Sequence, residues 1–184
     1  AFITQQQAHI VLYVDTPNPA FRHYAPYHFW FLQGEPQVES VDVAQPINVS
    51  FETGDGNLTL LGFNLTQNTW QAGETLSTTL YWQTPQKTTN KAKVFLHLYD
   101  AAGELGPQTD GYPFYGTRPP YTWLAGETVT DPRIIALPPD LAAGSYTLEV
   151  GLYDFTSGER YAAYVDGERQ AKERVVLATI EIKE

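Results

Sequence analysis

The sequence contains no cysteine. Thiolate zinc sites, iron–sulfur clusters, disulfide frameworks and cysteine nucleophiles are thereby excluded. The compartment stays open, because a domain of this size needs no disulfide. Basic residues are scarce: 11 Lys and Arg stand against 21 Asp and Glu, for a net charge of −10. Nucleic-acid binding needs the reverse, clustered positive charge, so no nucleic-acid partner is expected. No apolar run approaches the ~18 residues that cross a bilayer. No basic stretch ahead of a short apolar one reads as a secretory signal, and an acidic soluble surface is expected. No window places apolar residues at i, i+3, i+4 and i+7 for three turns, so little helix is expected. Gly-x-Ser-x-Gly elbows, phosphate loops and Gly-x-Gly-x-x-Gly fingerprints are absent. The 4 histidines (His9, His23, His28 and His97) have no close zinc spacing. No pair among the acids is singled out for glycosidase chemistry.

What the chain has is apolar alternation and aromatic rings. Apolar residues make up 42% and aromatic residues 14% of 184 positions, which excludes disorder and leaves enough for a real core. Leu76, Thr78, Leu80 and Trp82 share one face of a period-two stretch. So do Val94, Leu96 and Leu98, and so do Tyr146, Leu148, Val150 and Leu152. Further strands are expected at 9–14, 27–32, 58–65, 133–137, 159–165 and 174–182. Turn signals fall between them, among them Gly54-Asp55-Gly56-Asn57, Ala101-Ala102-Gly103, Thr156-Ser157-Gly158 and Asp166-Gly167. Many short strands with close turns mean an all-β, antiparallel sandwich of Greek-key or jelly-roll type.

The chain also repeats itself. Trp70-Gln71-Ala72-Gly73-Glu74-Thr75 returns as Trp123-Leu124-Ala125-Gly126-Glu127-Thr128, 53 positions later. Leu98-Tyr99-Asp100 followed by Gly103-Glu104 returns as Leu152-Tyr153-Asp154 followed by Gly158-Glu159. Two matched blocks in one order imply two units related by a pseudo-two-fold, too few for a solenoid. A motif repeated at equivalent places serves the fold: Gly supplies the turn, Trp plugs the sandwich end and Glu binds the turn backbone. Asp100 and Asp154 are expected to cap turns rather than to bind Ca²⁺. Residues 1–45 read differently, with Pro17 and Pro19 and the cluster Phe21-Arg22-His23-Tyr24-Ala25-Pro26-Tyr27-His28-Phe29-Trp30-Phe31. The expected organisation is an aromatic-rich segment, 1–45, packing on a sandwich of residues 46–184.

From Asn57 onward the order of motifs is distinctive. It runs Leu60-Leu61-Gly62-Phe63-Asn64-Leu65, Ala72-Gly73-Glu74-Thr75-Leu76, Leu80-Tyr81-Trp82-Gln83 and Val94-Phe95-Leu96-His97-Leu98. Asp110-Gly111, Trp123-Leu124-Ala125-Gly126-Glu127, Leu137-Pro138-Pro139-Asp140 and residues 144–154 continue it. Over residues 46–182 this resembles the C-terminal extracytoplasmic β-sandwich domain of multi-spanning bacterial glycosyltransferases of the dolichyl-phosphate-mannose transferase type, and related stand-alone domains. The resemblance implies no catalytic residues and no cofactor here, since in that family the chemistry sits in the membrane part. It implies a non-enzymatic accessory module, periplasmic or at the cell surface, tethered through a membrane-embedded parent chain. Its partner would be a glycan or a lipid-linked sugar. The alternatives are a purely structural or protein-interaction sandwich and, further off, a glycan-active enzyme.

Two places suit a sugar, whose ring offers C–H bonds to an aromatic face and hydroxyls to polar neighbours. The connection 107–127 holds Asp110, Tyr112, Tyr115, Arg118, Tyr121 and Trp123. Long connections without regular structure are often functional, although a Pro-stiffened crossover packed on the sandwich edge would read the same way. Within this set Trp123 is the weakest member, because its repeat partner Trp70 points to packing. The second place is the outward face of the strands, with Tyr81, Phe95, His97, Tyr99 and Tyr153. Residues 21–31 are expected to cover that face, since large exposed apolar patches are uncommon, so the connection is the preferred site.

Overall fold

The computed structural model describes residues 9–13, 28–32 and 41–183. The chain divides into two compact units, Ala1–Val38 and Glu39–Glu184. In the first, β1 (His9–Tyr13) and β2 (His28–Leu32) pair antiparallel, with His9 opposite Leu32 and Tyr13 opposite His28. Both are runs of β-branched and aromatic residues, as strands prefer. Most of the cluster at 21–31 and its packing on the sandwich lie outside the described residues.

The second unit is an all-β sandwich. Its strands are β3 (Gln45–Glu52), β4 (Asn57–Leu65), β5 (Thr69–Gln71), β6 (Thr75–Gln83), β7 (Ala92–Tyr99), β8 (Leu105–Gly111), β9 (Val129–Ala136), β10 (Gly144–Asp154), β11 (Ala162–Val165), β12 (Glu168–Arg169) and β13 (Val175–Lys183). One sheet has five strands in the order β5-β13-β10-β7-β8, and the other has six in the order β12-β11-β3-β4-β6-β9. Every pair is antiparallel except β5 with β13. The alternating apolar residues face inward: Leu76, Leu80, Trp82, Val94, Leu96, Leu98, Leu148, Val150 and Leu152 all belong to the buried core. Burying a side chain of this size stabilises by about 1.5–3 kcal/mol, which fixes the register because a one-residue slip would turn every such residue outward.

The repeat is visible in three dimensions. The equivalent strands β6 and β9 lie side by side and antiparallel in one sheet, and β7 and β10 do the same in the other. Equivalent elements paired antiparallel are what a two-fold between the units produces. The two Trp-x-Ala-Gly-Glu turns match bond for bond. Glu74 Oε2 accepts the Gln71 N–H at 2.8 Å, and Glu127 Oε2 accepts the Leu124 N–H at 2.9 Å. The reverse bonds, Glu74 N–H to Gln71 O and Glu127 N–H to Leu124 O, are both 3.1 Å. Gly73 and Gly126 take φ of 86° and 75°, where a Cβ is disfavoured. The Tyr-Asp ends match too. Asp100 Oδ1 accepts the N–H groups of Ala102 and Glu104, and Asp154 Oδ1 accepts those of Thr156 and Ser157. Both aspartates are turn caps.

The connection expected over 107–127 begins later than its sequence implies, since Leu105–Gly111 forms β8. An edge strand pairs on one side only, so it tolerates Pro107 and needs few apolar residues.

Candidate functional site

After β8 the chain makes a tight turn, 112–117, and then a single 3-10 turn at Pro120–Thr122 before β9. The backbone of the first turn is internally bonded, Gly116 N–H to Tyr112 O at 3.0 Å and Arg118 N–H to Pro113 O at 3.1 Å. Phe114 and Tyr115 both lie in the left-handed region, with φ of 51° and 54°. Such residues cost about 1–3 kcal/mol each and persist only where the surroundings hold them. The holding group is inside the sandwich. Asp131 on β9 is fully buried and accepts the Phe114 N–H at 2.8 Å. Its other oxygen takes Arg133 Nε at 2.9 Å and Trp82 Nε1 at 3.3 Å. Arg133 in turn donates to Gly111 O at 3.0 Å, so one buried ion pair grips both ends of the segment 111–114. Burial pushes the Asp131 carboxyl up, against the opposing pull of Arg133 and the Phe114 N–H.

The base of the connection is fastened separately. Arg118 and Glu127 pair at 2.7 Å, and Trp123 Nε1 donates to Arg118 O at 2.9 Å. Trp123 is 1% exposed. It offers no ring to a ligand and is the core plug that its repeat partner foretells. Arg118, paired with Glu127, fastens the connection while its guanidinium stays partly exposed. Trp123 leaves the set of ligand-facing residues.

Asp110, Tyr112 and Tyr121 come together. Tyr121 and Asp154 stand near enough to Tyr112 to add to burial in raising its phenol, and Asp110 and Tyr112 do the same for Tyr153. Phe155, which the sequence reading did not single out, joins them with its ring 6.1 Å from that of Tyr112. Lys93 Nζ lies 4.0 Å from the Phe155 ring centre and 5.3 Å from that of Tyr112, a cation–π arrangement. Phe155 is 53% exposed, Tyr121 44% and Tyr115, at the tip of the turn, 70%. The backbone N–H groups of Ser157 and Thr156 hold the Asp154 carboxyl below the usual carboxylate range, so it stays an ionised acceptor. The cluster therefore offers ring faces, one ammonium and acceptor carboxylates on a braced frame. Lys93 and Phe155 are far from 107–127 in sequence and reach it only through the pairing of β7 with β10, in which Lys93 stands opposite Tyr153.

The outward aromatic face is not open, and it is not one face. Tyr81 lies on the six-stranded sheet and accepts a hydrogen bond from Asn64 Nδ2 at 2.8 Å. Asn64 also holds Asp42 O and Ala44 N–H, so residues 42–44 are tied down beside Tyr81. Phe95, His97 and Tyr99 belong to the other sheet and are buried. The Arg160 guanidinium stands 4.4 Å from the Phe95 ring centre and that of Arg174 3.7 Å from Tyr99. His97 bridges two groups, with Nε2 2.9 Å from Asp110 Oδ1 and Nδ1 3.2 Å from the Tyr99 hydroxyl. Arg160 comes from the connection between β10 and β11, and Arg174 from the threshold of β13.

No family model matches the sequence, and no curated protein does. Among solved structures the chain is similar to one described as the C-terminal domain of wzt. The superposition has a TM-score of 0.48 at 8% sequence identity and covers 81% of this chain and 90% of that one.

Proposed function

We propose that this sandwich is a non-catalytic glycan-binding module whose site is the braced aromatic cluster of Tyr112, Tyr121 and Phe155. The carrying observation is the half-buried Tyr112 ring and the exposed Phe155 ring around Lys93, with exposed Tyr121 nearby, beside a turn gripped from inside by Asp131 and Arg133. Exposed rings take the C–H face of a sugar, and flanking carboxylates and an ammonium take its hydroxyls. A preorganised loop reduces the ordering cost of binding. The resemblance of its motif order to the C-terminal domains of membrane glycosyltransferases supports an extracytoplasmic location beside such an enzyme, with a glycan or lipid-linked sugar as partner.

A glycan array followed by titration calorimetry tests the reading, with the wild type, Tyr115→Ala, Tyr121→Ala and Phe155→Ala. Affinity is expected on the order of millimolar, because a few stacking contacts leave little surplus over the costs of association. Loss of binding in Tyr121→Ala and Phe155→Ala supports the site. No binding by the wild type to neutral or acidic glycans would sink it and favour a structural or protein-interaction sandwich. The membrane association predicts bilayer-spanning helices in the full reading frame, and a complete frame without them would overturn that part alone.

A further inference from the structure

The outer side of the six-stranded sheet carries a concavity remote in sequence from the aromatic cluster. Its volume is about 560 Å³, and it is lined by Asn48, Ser50, Glu52, Asn57, Tyr164 and Asp166. Asn48, Ser50 and Glu52 stand two residues apart on β3, Asn57 opens β4 opposite Glu52, and Tyr164 on β11 pairs with Ser50. The polar groups are already mutually oriented: Tyr164 donates its hydroxyl to Glu52 Oε2 at 3.1 Å, and Asn57 Nδ2 donates to Ser50 Oγ at 3.1 Å. The rim is shaped by backbone that strands avoid. Asn48 sits in the left-handed region at φ 53° inside β3, where the register with β4 shifts between Pro46 and Val49. Bulges of this kind recur beside functional sites, where they re-aim side chains. The tight turn Asp166-Gly167, with φ of 51° and 82°, closes the other side.

We infer that this concavity is a second binding site, for an uncharged, hydroxyl-rich sugar. Its side chains are rich in acceptors, namely two carboxylates, two amide carbonyls and two hydroxyl oxygens, and none of them is cationic. A ligand that complements such a lining must supply hydrogen-bond donors and carry no negative charge. A neutral pyranose does both. Its hydroxyls donate to Glu52 and Asp166, the Asn48 and Asn57 amides bond its ring and hydroxyl oxygens, and Tyr164 lends one ring face. A uronate or a phosphorylated sugar would face two carboxylates, and the one nearby cation, Arg169 opposite Tyr164, is already paired with Glu173 at 2.7 Å. The inference stands independently of the aromatic cluster, which contains an ammonium and shares none of these residues.

The test uses the full chain labelled with ¹⁵N and two probes of equal length, a neutral mannotriose and trigalacturonate. Mannotriose is expected to move the side-chain NH₂ signals of Asn48 and Asn57, and trigalacturonate is expected to leave them in place. Glu52→Gln should weaken the mannotriose response about tenfold, the loss of one charge-assisted hydrogen bond, and Tyr164→Phe should weaken it less. Tyr121→Ala should leave it unchanged. Absence of any response to mannotriose, an equal response to trigalacturonate, or a response untouched by Glu52→Gln would each overturn the inference. A mannotriose response abolished by Tyr121→Ala alone would assign binding to the aromatic cluster and remove the second site.

Discussion

Asp131 and Arg133 lie two residues apart on β9 and form an ion pair at 2.9 Å with both side chains almost wholly buried. Around it converge Trp82 from β6, Gly111 from the end of β8 and Phe114 from the turn beyond. A charged pair inside a β-sandwich is a poor source of net stability compared with a packed apolar pair. What it provides here is a fixed point for the backbone of a loop whose rings face solvent.

Removing one partner should therefore be costly. Asp131→Ala leaves the Arg133 guanidinium buried without its counter-charge and the Phe114 N–H without an acceptor. The expected loss is about 3–5 kcal/mol, read as a lower urea midpoint at an unchanged slope. Replacing both residues by apolar ones of similar size should recover much of that stability without restoring the left-handed turn at Phe114 and Tyr115. A double variant that is stable and still binds glycan with wild-type affinity would show that the ion pair does not position the loop.

Gly151 is the position where β10 admits an aromatic ring. A Cβ there would collide with the Phe95 ring, and the Glu173 carbonyl oxygen would be 2.9 Å away. Gly151→Ala must push Phe95 off its seat beneath Arg160, and overpacking of this kind costs about 1–3 kcal/mol. A thermal melt should show a drop of several degrees. Gly103→Ala is the control for space, because nothing stands within 4 Å of its added Cβ, although its φ of 82° still carries backbone strain.

Asp55 gives the acid limb of the stability curve. Its carboxylate, in the turn between β3 and β4, accepts the Thr88 hydroxyl and both the N–H and the hydroxyl of Thr89. Burial raises its pKa, but these bonds outweigh burial, and the net direction is down from 3.8. A carboxyl held lower in the folded state than in the unfolded one stabilises above the unfolded value and loses that contribution as pH falls through the folded value. Urea midpoints of the wild type should thus fall between about pH 5 and pH 2, with a shallower fall in Asp55→Asn. Parallel curves for the two proteins would refute the assignment.

The sandwich is legible in the sequence because its central strands are half-buried on alternating positions. β6, β7 and β10 each bring a three- or four-membered apolar face, and the inward direction follows. The repeated Trp-x-Ala-Gly-Glu turn is legible because the same backbone problem is solved twice by the same residues. β8 is not legible: Leu105–Gly111 has a proline, two glycines and one large apolar side chain, and it is a strand only because β7 offers it a free edge. The site is legible in part. Density of rings points to Tyr112 and Tyr121, and the repeat warns against Trp123. Lys93 and Phe155 carry no local signal, since their meeting with Tyr112 is a product of strand pairing. The outward face misleads for a similar reason. Period two places Phe95, His97 and Tyr99 on one side of β7 but says nothing of Arg160 and Arg174, which arrive from elsewhere in the chain.

The two copies of the repeated turn differ in one respect that bears on the site. Glu74 binds only the turn backbone, through Gln71 N–H, whereas Glu127 binds Leu124 N–H with one oxygen and Arg118 with the other. Trp123 then anchors on Arg118 O, while the Nε1 of Trp70 has no partner among the described residues. The second copy thus ties the turn to the connection that carries the exposed rings. Glu74→Ala should cost about 0.5–1.5 kcal/mol, one modest hydrogen bond. Glu127→Ala should cost more, about 1.5–3 kcal/mol, because a charged bond to a partly buried guanidinium is lost as well. A double-mutant cycle between Arg118 and Glu127 isolates that second part and should return a coupling of about 1 kcal/mol. Equal costs for Glu74→Ala and Glu127→Ala, with no coupling to Arg118, would mean that the second copy serves only its own turn and does not brace the aromatic connection.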